Sequence, residues 1–111
     1  MGSISSKRLI PVTMAAKEFV NDAIAHNHIV VFSKTDCGYC KMTKEIFDKL
    51  KANYTAIELN NRDDMDDIQN ALEEITGARS VPRVFISGKF IGGGSDIKKL
   101  NTSGKLVEMI K

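Results

Sequence analysis

Little in this 111-residue chain points to covalent or metal cross-linking. It has two cysteines, Cys37 and Cys40, too few and too close together for a disulfide framework. It has two histidines, His26 and His28, and both precede the segment that carries the cysteines. A structural zinc, which takes four ligands, is therefore not expected. No apolar run approaches the roughly 18 residues that cross a bilayer, so stable membrane insertion is not expected either. Sixteen basic against fourteen acidic residues leave a net charge of +2. Six of the acids fall between Asp63 and Glu74. So even a balance argues against a polyanion such as nucleic acid as partner. There is no internal repeat, linker or low-complexity segment. The length suits one domain with its own core.

Residues 1–12 read as a flexible tail and 13–111 as the folded domain. The segment Met1-Gly2-Ser3-Ile4-Ser5-Ser6 lacks the apolar stretch of a secretion signal. It fits the pattern for N-myristoylation at Gly2, but a plain or appended tail accounts for the same residues. One acyl chain gives only marginal membrane binding. A cytoplasmic location is expected.

Thr13 is placed to cap a first helix over 14–26, with Ala16, Phe19, Val20, Ala23 and Ile24 at helical spacing. A strand follows to Ser33. A second helix is expected from Gly38 to about Lys51, with Ile46, Phe47 and Leu50 inward. Tyr54 to Leu59 alternates as a strand does. The pair Asp63-Asp64 is placed to cap a third helix that buries Ile68, Ala71, Leu72 and Ile75 and stops at Gly77. Val84–Ile86 and Lys89–Ile91 flank Ser87-Gly88, a hairpin signal. After Gly92-Gly93-Gly94, Ser95 is placed to cap a last helical region that breaks near 101–104. The order helix, β-α-β, helix, hairpin, helix requires one parallel strand pair with a right-handed crossover and one antiparallel pair.

The two cysteines sit where the first strand gives way to the second helix. A thiolate is the nucleophile in thiol–disulfide exchange, and unpaired N–H groups at a helix start favour it. Cys37 has that position, and Cys40 lies one turn inside on the same face. The first sulfur attacks and the second resolves. Lys34 and Lys41 bring positive charge, and Asp36 opposes it.

Two further segments carry chemical potential. Pro82 opens the third strand, where a proline is tolerated. In a cis bond it would turn the Val81 backbone outward to pair with an extended peptide. An ordinary strand-opening proline explains it equally. The run Gly92-Gly93-Gly94-Ser95-Asp96 allows a ligand close to the backbone, with a helix N-terminus for a carboxylate and Asp96 for an ammonium. The γ-glutamyl end of glutathione has both groups. A capped glycine turn is the simpler alternative for the segment alone.

Taken in order, Lys34-Thr35-x-Cys37-Gly38-Tyr39-Cys40, the segment Gly77 to Ile86 and Gly92-Gly93-Gly94-Ser95-Asp96-Ile97 resemble a glutaredoxin of the dithiol class over about residues 14–110. The resemblance implies an α/β thioredoxin-like fold, a four-stranded mixed sheet with helices on both faces, and a cis Val81–Pro82 bond. It implies a glutathione-dependent thiol–disulfide oxidoreductase acting on protein–glutathione mixed disulfides through Cys37 and on protein disulfides through Cys37 and Cys40. Glutathione is then the co-substrate. Lys34 and Gln69, helped by Arg79, would take its glycine carboxylate. Val81, beside Pro82, would pair with its cysteinyl backbone, and Ser95 and Asp96 with its γ-glutamyl end. Tyr39 would line the groove.

The sequence departs from the commonest pattern of that family. Gly38 stands where proline is usual, and some members with glycine there hold a [2Fe–2S] cluster between two subunits. Cys37 would then be the metal ligand of a cluster-bridged dimer, whereas a monomer would hold no metal. Asp36 replaces a neutral residue, and Gly94 stands where many members carry a further cysteine. A thioredoxin-type reductase fed by a flavoprotein is a third alternative, disfavoured by the anion sites at Lys34 and Ser95.

Overall fold

A computed structural model describes residues 12–111. The acylation pattern at Gly2 and most of the expected tail lie outside the described residues. Val12, assigned to the tail from sequence, packs partly buried against the core.

Helix α1 spans Met14–His26 and begins as expected, with the Thr13 side chain accepting a hydrogen bond from the Ala16 N–H at 3.1 Å. Strand β1 (Ile29–Ser33) is buried along its whole length, the pattern of a central strand covered on both faces. Helix α2 spans Gly38–Lys49, β2 Thr55–Glu58 and α3 Met65–Thr76, with a 3-10 turn at Leu59–Asn61 between the last two. Strands β3 (Arg83–Ile86) and β4 (Lys89–Gly92) form the hairpin, followed by α4 (Gly94–Thr102) and α5 (Lys105–Met109). The sheet order is β2-β1-β3-β4. β1 runs parallel to β2 and antiparallel to β3, and β3 antiparallel to β4.

Alternation along β1 divides the core in two. Val30 and Phe32 join Ala16, Val20, Ile68, Leu72 and Phe85 beneath α1 and α3. Ile29 and Val31 join Phe47, Val84, Ile97 and Leu106 beneath α2, α4 and α5. This is the expected mixed sheet with helices on both faces.

Four local expectations need correction. α2 ends at Lys49 rather than Lys51. Lys51 takes a positive φ of 56° while the Lys51 and Ala52 N–H groups bond back to the Asp48 and Phe47 carbonyls. That is a Schellman ending made without the glycine that usually signals it. Ile75 is 41 % exposed, and the α3 face instead buries the polar side chains of Gln69 and Asn70. Asp64 does stand at the N-cap of α3, but its carboxylate is held by Arg62 at 2.8 and 3.0 Å and makes no cap bond. Finally, α4 is capped at Gly93, not at Ser95, which lies inside the first turn. The hairpin agrees with expectation: Ser87 (φ 51°) and Gly88 (φ 82°) both turn left-handed, as a two-residue type I′ turn requires.

Candidate active site

The site forms where the C-terminal end of β1, the start of α2, the start of β3 and the start of α4 converge. Residues 34–37 lead from the sheet into α2. Asn60, in the 3-10 turn, clamps them: its Oδ1 accepts the Thr35 N–H at 3.0 Å and its Nδ2 donates to Thr35 Oγ1 at 2.6 Å.

Cys37 is the N-cap of α2, half-buried and with a free thiol. Its Sγ accepts a hydrogen bond at 3.2 Å from the Cys40 N–H, one of the first-turn amides that have no carbonyl partner within the helix. The same Sγ lies 3.8 Å from the Val81 carbonyl oxygen. Cys40 is fully buried. Burial, reinforced by a hydrogen bond with Cys37, pushes its thiol up to about 11 against weaker opposing contributions from the Lys34 backbone and Ser33. One sulfur is thus presented and the other held protonated, two roles for one Cys-x-x-Cys pair.

The Val81–Pro82 peptide is cis. It forms one wall of a groove of about 310 Å³, with Tyr39, Arg83, Ser95 and Asp96 among the others. Tyr39 is 60 % exposed. The glycine run makes the facing wall. A Cβ on Gly94 would come within 2.9 Å of the Tyr39 ring, and one on Gly92 (φ 151°) within 2.5 Å of Asp96. Asp96 Oδ2 accepts the Gly93 N–H at 2.9 Å, capping α4.

Tyr39, Val81, Pro82, Ser95 and Asp96 therefore meet in one groove. Lys34, Gln69 and Arg79 are not among its walls. Lys34 has no ion-pair partner among the described residues. Arg79 donates to Asn70 Oδ1 at 2.9 Å and stands 3.6 Å from Asp66. Gln69, only 6 % exposed, spends its Nε2 on the Arg79 carbonyl at 2.8 Å. Sequence reasoning assigned no role to Arg83. Its guanidinium lies over the Phe90 ring at 5.1 Å, donates to the Pro82 carbonyl at 3.2 Å and presses against Gly93. Burial lowers its pKa, against the pull of Asp96. The Asn60 clamp was also missed. No local motif marks either residue: Asn60 acts on Thr35, 25 positions away, and Arg83 reaches the groove only once the β3–β4 hairpin and the glycine run fold beside it.

Residues 29–91 match the family model for glutaredoxin. The chain is 39 % identical to the mitochondrial glutaredoxin-2 of Mus musculus over 110 residues, 99 % of this chain and 70 % of that protein. It superimposes on a buckwheat glutaredoxin–glutathione complex with a TM-score of 0.84 and 47 % identity, covering 86 % of this chain and 87 % of that one. The holo form of glutaredoxin C1 from Populus tremula x tremuloides gives a TM-score of 0.84 at 35 % identity, over 86 % and 95 % of the two chains. The chain belongs to the glutaredoxin family, and its fold is that of the family's thioredoxin-like structures. It is a thiol–disulfide oxidoreductase.

Proposed function

We propose that this enzyme reduces glutathione mixed disulfides through Cys37 alone and protein disulfides through Cys37 and Cys40 together. The observation that carries this reading is the asymmetry of the pair. Cys37 is accessible and accepts a helix-start N–H, whereas Cys40 is buried and held protonated. In the first route the Cys37 thiolate attacks the glutathione sulfur of the mixed disulfide. A Cys37–glutathione disulfide forms and the protein leaves as a thiolate that takes up a proton. A second glutathione thiolate then attacks that disulfide, releasing oxidised glutathione and restoring Cys37. In the second route Cys37 forms a mixed disulfide with the client. Cys40 gives up its proton, attacks Cys37 and expels the client thiolate. Two glutathiones then reduce the internal disulfide.

In this reading Val81 pairs with the cysteinyl backbone of glutathione beside Pro82, while Ser95 and Asp96 receive the γ-glutamyl end and Tyr39 covers it. Lys34, unpaired, and Arg79 take the glycine carboxylate. Gln69 contributes by fixing the Arg79 backbone. The glutathione complex of the buckwheat relative supports this choice of ligand. Assays with and without glutathione test it. Cys37→Ser should abolish both routes. Cys40→Ser should keep deglutathionylation and lose reduction of protein disulfides. Equal loss of both in the two variants would overturn the division of roles.

A second reading rests on Gly38 and on the holo form of the poplar relative. The position a Cβ would take on Gly38 is open, with nothing within 4 Å, so glycine leaves free the space a side chain would fill there. With Cys40 buried, one chain presents a single accessible sulfur. The residues therefore fit a [2Fe–2S] cluster only as half of a site, with Cys37 of each of two chains and glutathione as ligands. Anaerobic reconstitution with iron, sulfide and glutathione should then give a coloured dimer, and a colourless monomer would overturn this reading. For location, cytoplasm and mitochondrion are both proposals, the second from the mitochondrial naming of the mouse relative. Fractionation with an antibody to the full-length protein decides between them.

A further inference from the structure

A second groove, of about 490 Å³, opens on the other side of Tyr39 and Ser95 from the one assigned to glutathione. The two grooves share those residues as a common wall. Its other walls are Lys98, Lys99, Thr102 and Ser103 of α4 and its C-terminal end. The surface is mostly apolar, because lysine offers a four-carbon stem and tyrosine a ring. Neither Lys98 nor Lys99 has an ion-pair partner among the described residues. The acid of this helix start, Asp96, lines the other groove and is engaged with the Gly93 N–H.

We propose that this groove receives the client polypeptide, and that it selects clients with acidic residues beside the target cysteine. The inference rests on the mixed-disulfide reading above and names the partner class for it. When Cys37 attacks the glutathione sulfur, glutathione occupies the Val81–Ser95 groove and the client sulfur is the leaving group. The polypeptide attached to that sulfur must lie against surface next to Cys37 that glutathione leaves open. The Tyr39–α4 groove shares Tyr39, two residues along the chain from Cys37, and Ser95 with the glutathione groove, and it is the surface assigned to that polypeptide. Its apolar floor suits side-chain stems, and two unpaired ammonium groups complement carboxylates on the client. Exposed charges of this kind act on encounter and on partner choice.

The test compares three glutathionylated substrates. Two are peptides identical except for Glu or Lys on either side of the cysteine, and the third is the small mixed disulfide of glutathione and 2-mercaptoethanol. The wild-type enzyme should show a kcat/KM for the Glu peptide about fivefold above that for the Lys peptide, a gap of the size two exposed ion pairs support. Salt should shrink it. Lys98→Glu/Lys99→Glu should abolish or invert the preference and leave turnover of the small disulfide unchanged. Lys98→Arg/Lys99→Arg should retain the preference. Equal use of the two peptides by the wild-type enzyme overturns the proposal. So does a charge reversal that slows the small disulfide as much as the Glu peptide. Failure of the wild-type enzyme on all three substrates would instead overturn the underlying mixed-disulfide reading.

Discussion

The sulfur of Cys37 accepts the backbone N–H of Cys40 at 3.2 Å, so the residue proposed as resolver supports the proposed nucleophile through its amide while its own thiol is kept buried and protonated. With the Cys40 thiol pushed up to about 11 by burial and its hydrogen bond with Cys37, it stays protonated at pH 7. Limited iodoacetamide at that pH should label Cys37 and spare Cys40, with Cys40 labelling rising toward pH 11. Peptide mass mapping reads the outcome, and equal labelling at pH 7 would contradict it. The sign for stability follows from the same shift. The folded state holds this proton more tightly than the unfolded chain. The resulting stabilisation is complete below about pH 9 and is lost as the pH rises through about 11. Cys40→Ser should remove that part of the alkaline decline in thermal unfolding.

Asp96 caps α4 and is proposed to receive the glutathione ammonium, and Asp96→Asn separates the two. Asparagine keeps an oxygen that can accept the Gly93 N–H, so α4 retains its cap. It loses the charge assigned to the glutathione ammonium. The KM for glutathione should rise about three- to tenfold, as expected for a charged hydrogen-bond partner made neutral, with the melting temperature nearly unchanged. A normal KM with a lowered melting temperature would show the opposite division.

Asn60→Ala should loosen the approach to Cys37. It removes both hydrogen bonds to Thr35, at 3.0 and 2.6 Å, on an exposed surface where water can replace them. Stability should fall by only about 1 kcal/mol. The kcat/KM for mixed disulfides should fall by more than that figure predicts, because the loop positions the nucleophile. Unchanged kinetics would mean that the β1–α2 loop holds its shape without the clamp.

Thr13→Ala removes the cap of α1, whose inward face packs with α3 on the sheet face opposite α2. Chemical denaturation should show a loss of about 1 kcal/mol. Turnover of every substrate should stay at the wild-type value. A fall in kcat would mean that α1 communicates with the site.

Legibility from sequence varied with the range of the determining interaction. α1 and its Thr13 cap, the Gly77 stop and the Ser87-Gly88 turn were readable because each is settled within a few residues. Two helix boundaries misled, each for its own reason. Lys51 adopts a left-handed φ without being glycine, and Ser95 has the right side chain for a cap that Gly93 provides. Ile75 follows the apolar periodicity of α3, yet α3 packs so that Gln69 and Asn70 are buried and Ile75 is left at the surface.

The sequence by itself determined the chemistry of this protein. It placed a Cys-x-x-Cys pair between strand and helix, a proline just before β3 and a glycine run leading into α4, and those local choices limit what the backbone can do. The tertiary structure decided which thiol is presented and which is withheld, since burial of Cys40 depends on packing between α2 and the sheet. It also decided that Arg83 rather than Arg79 lines the groove beside Tyr39, and that Asn60 holds the loop in front of Cys37. Such contacts join residues tens of positions apart, and only the assembled sheet with both faces covered brings them together.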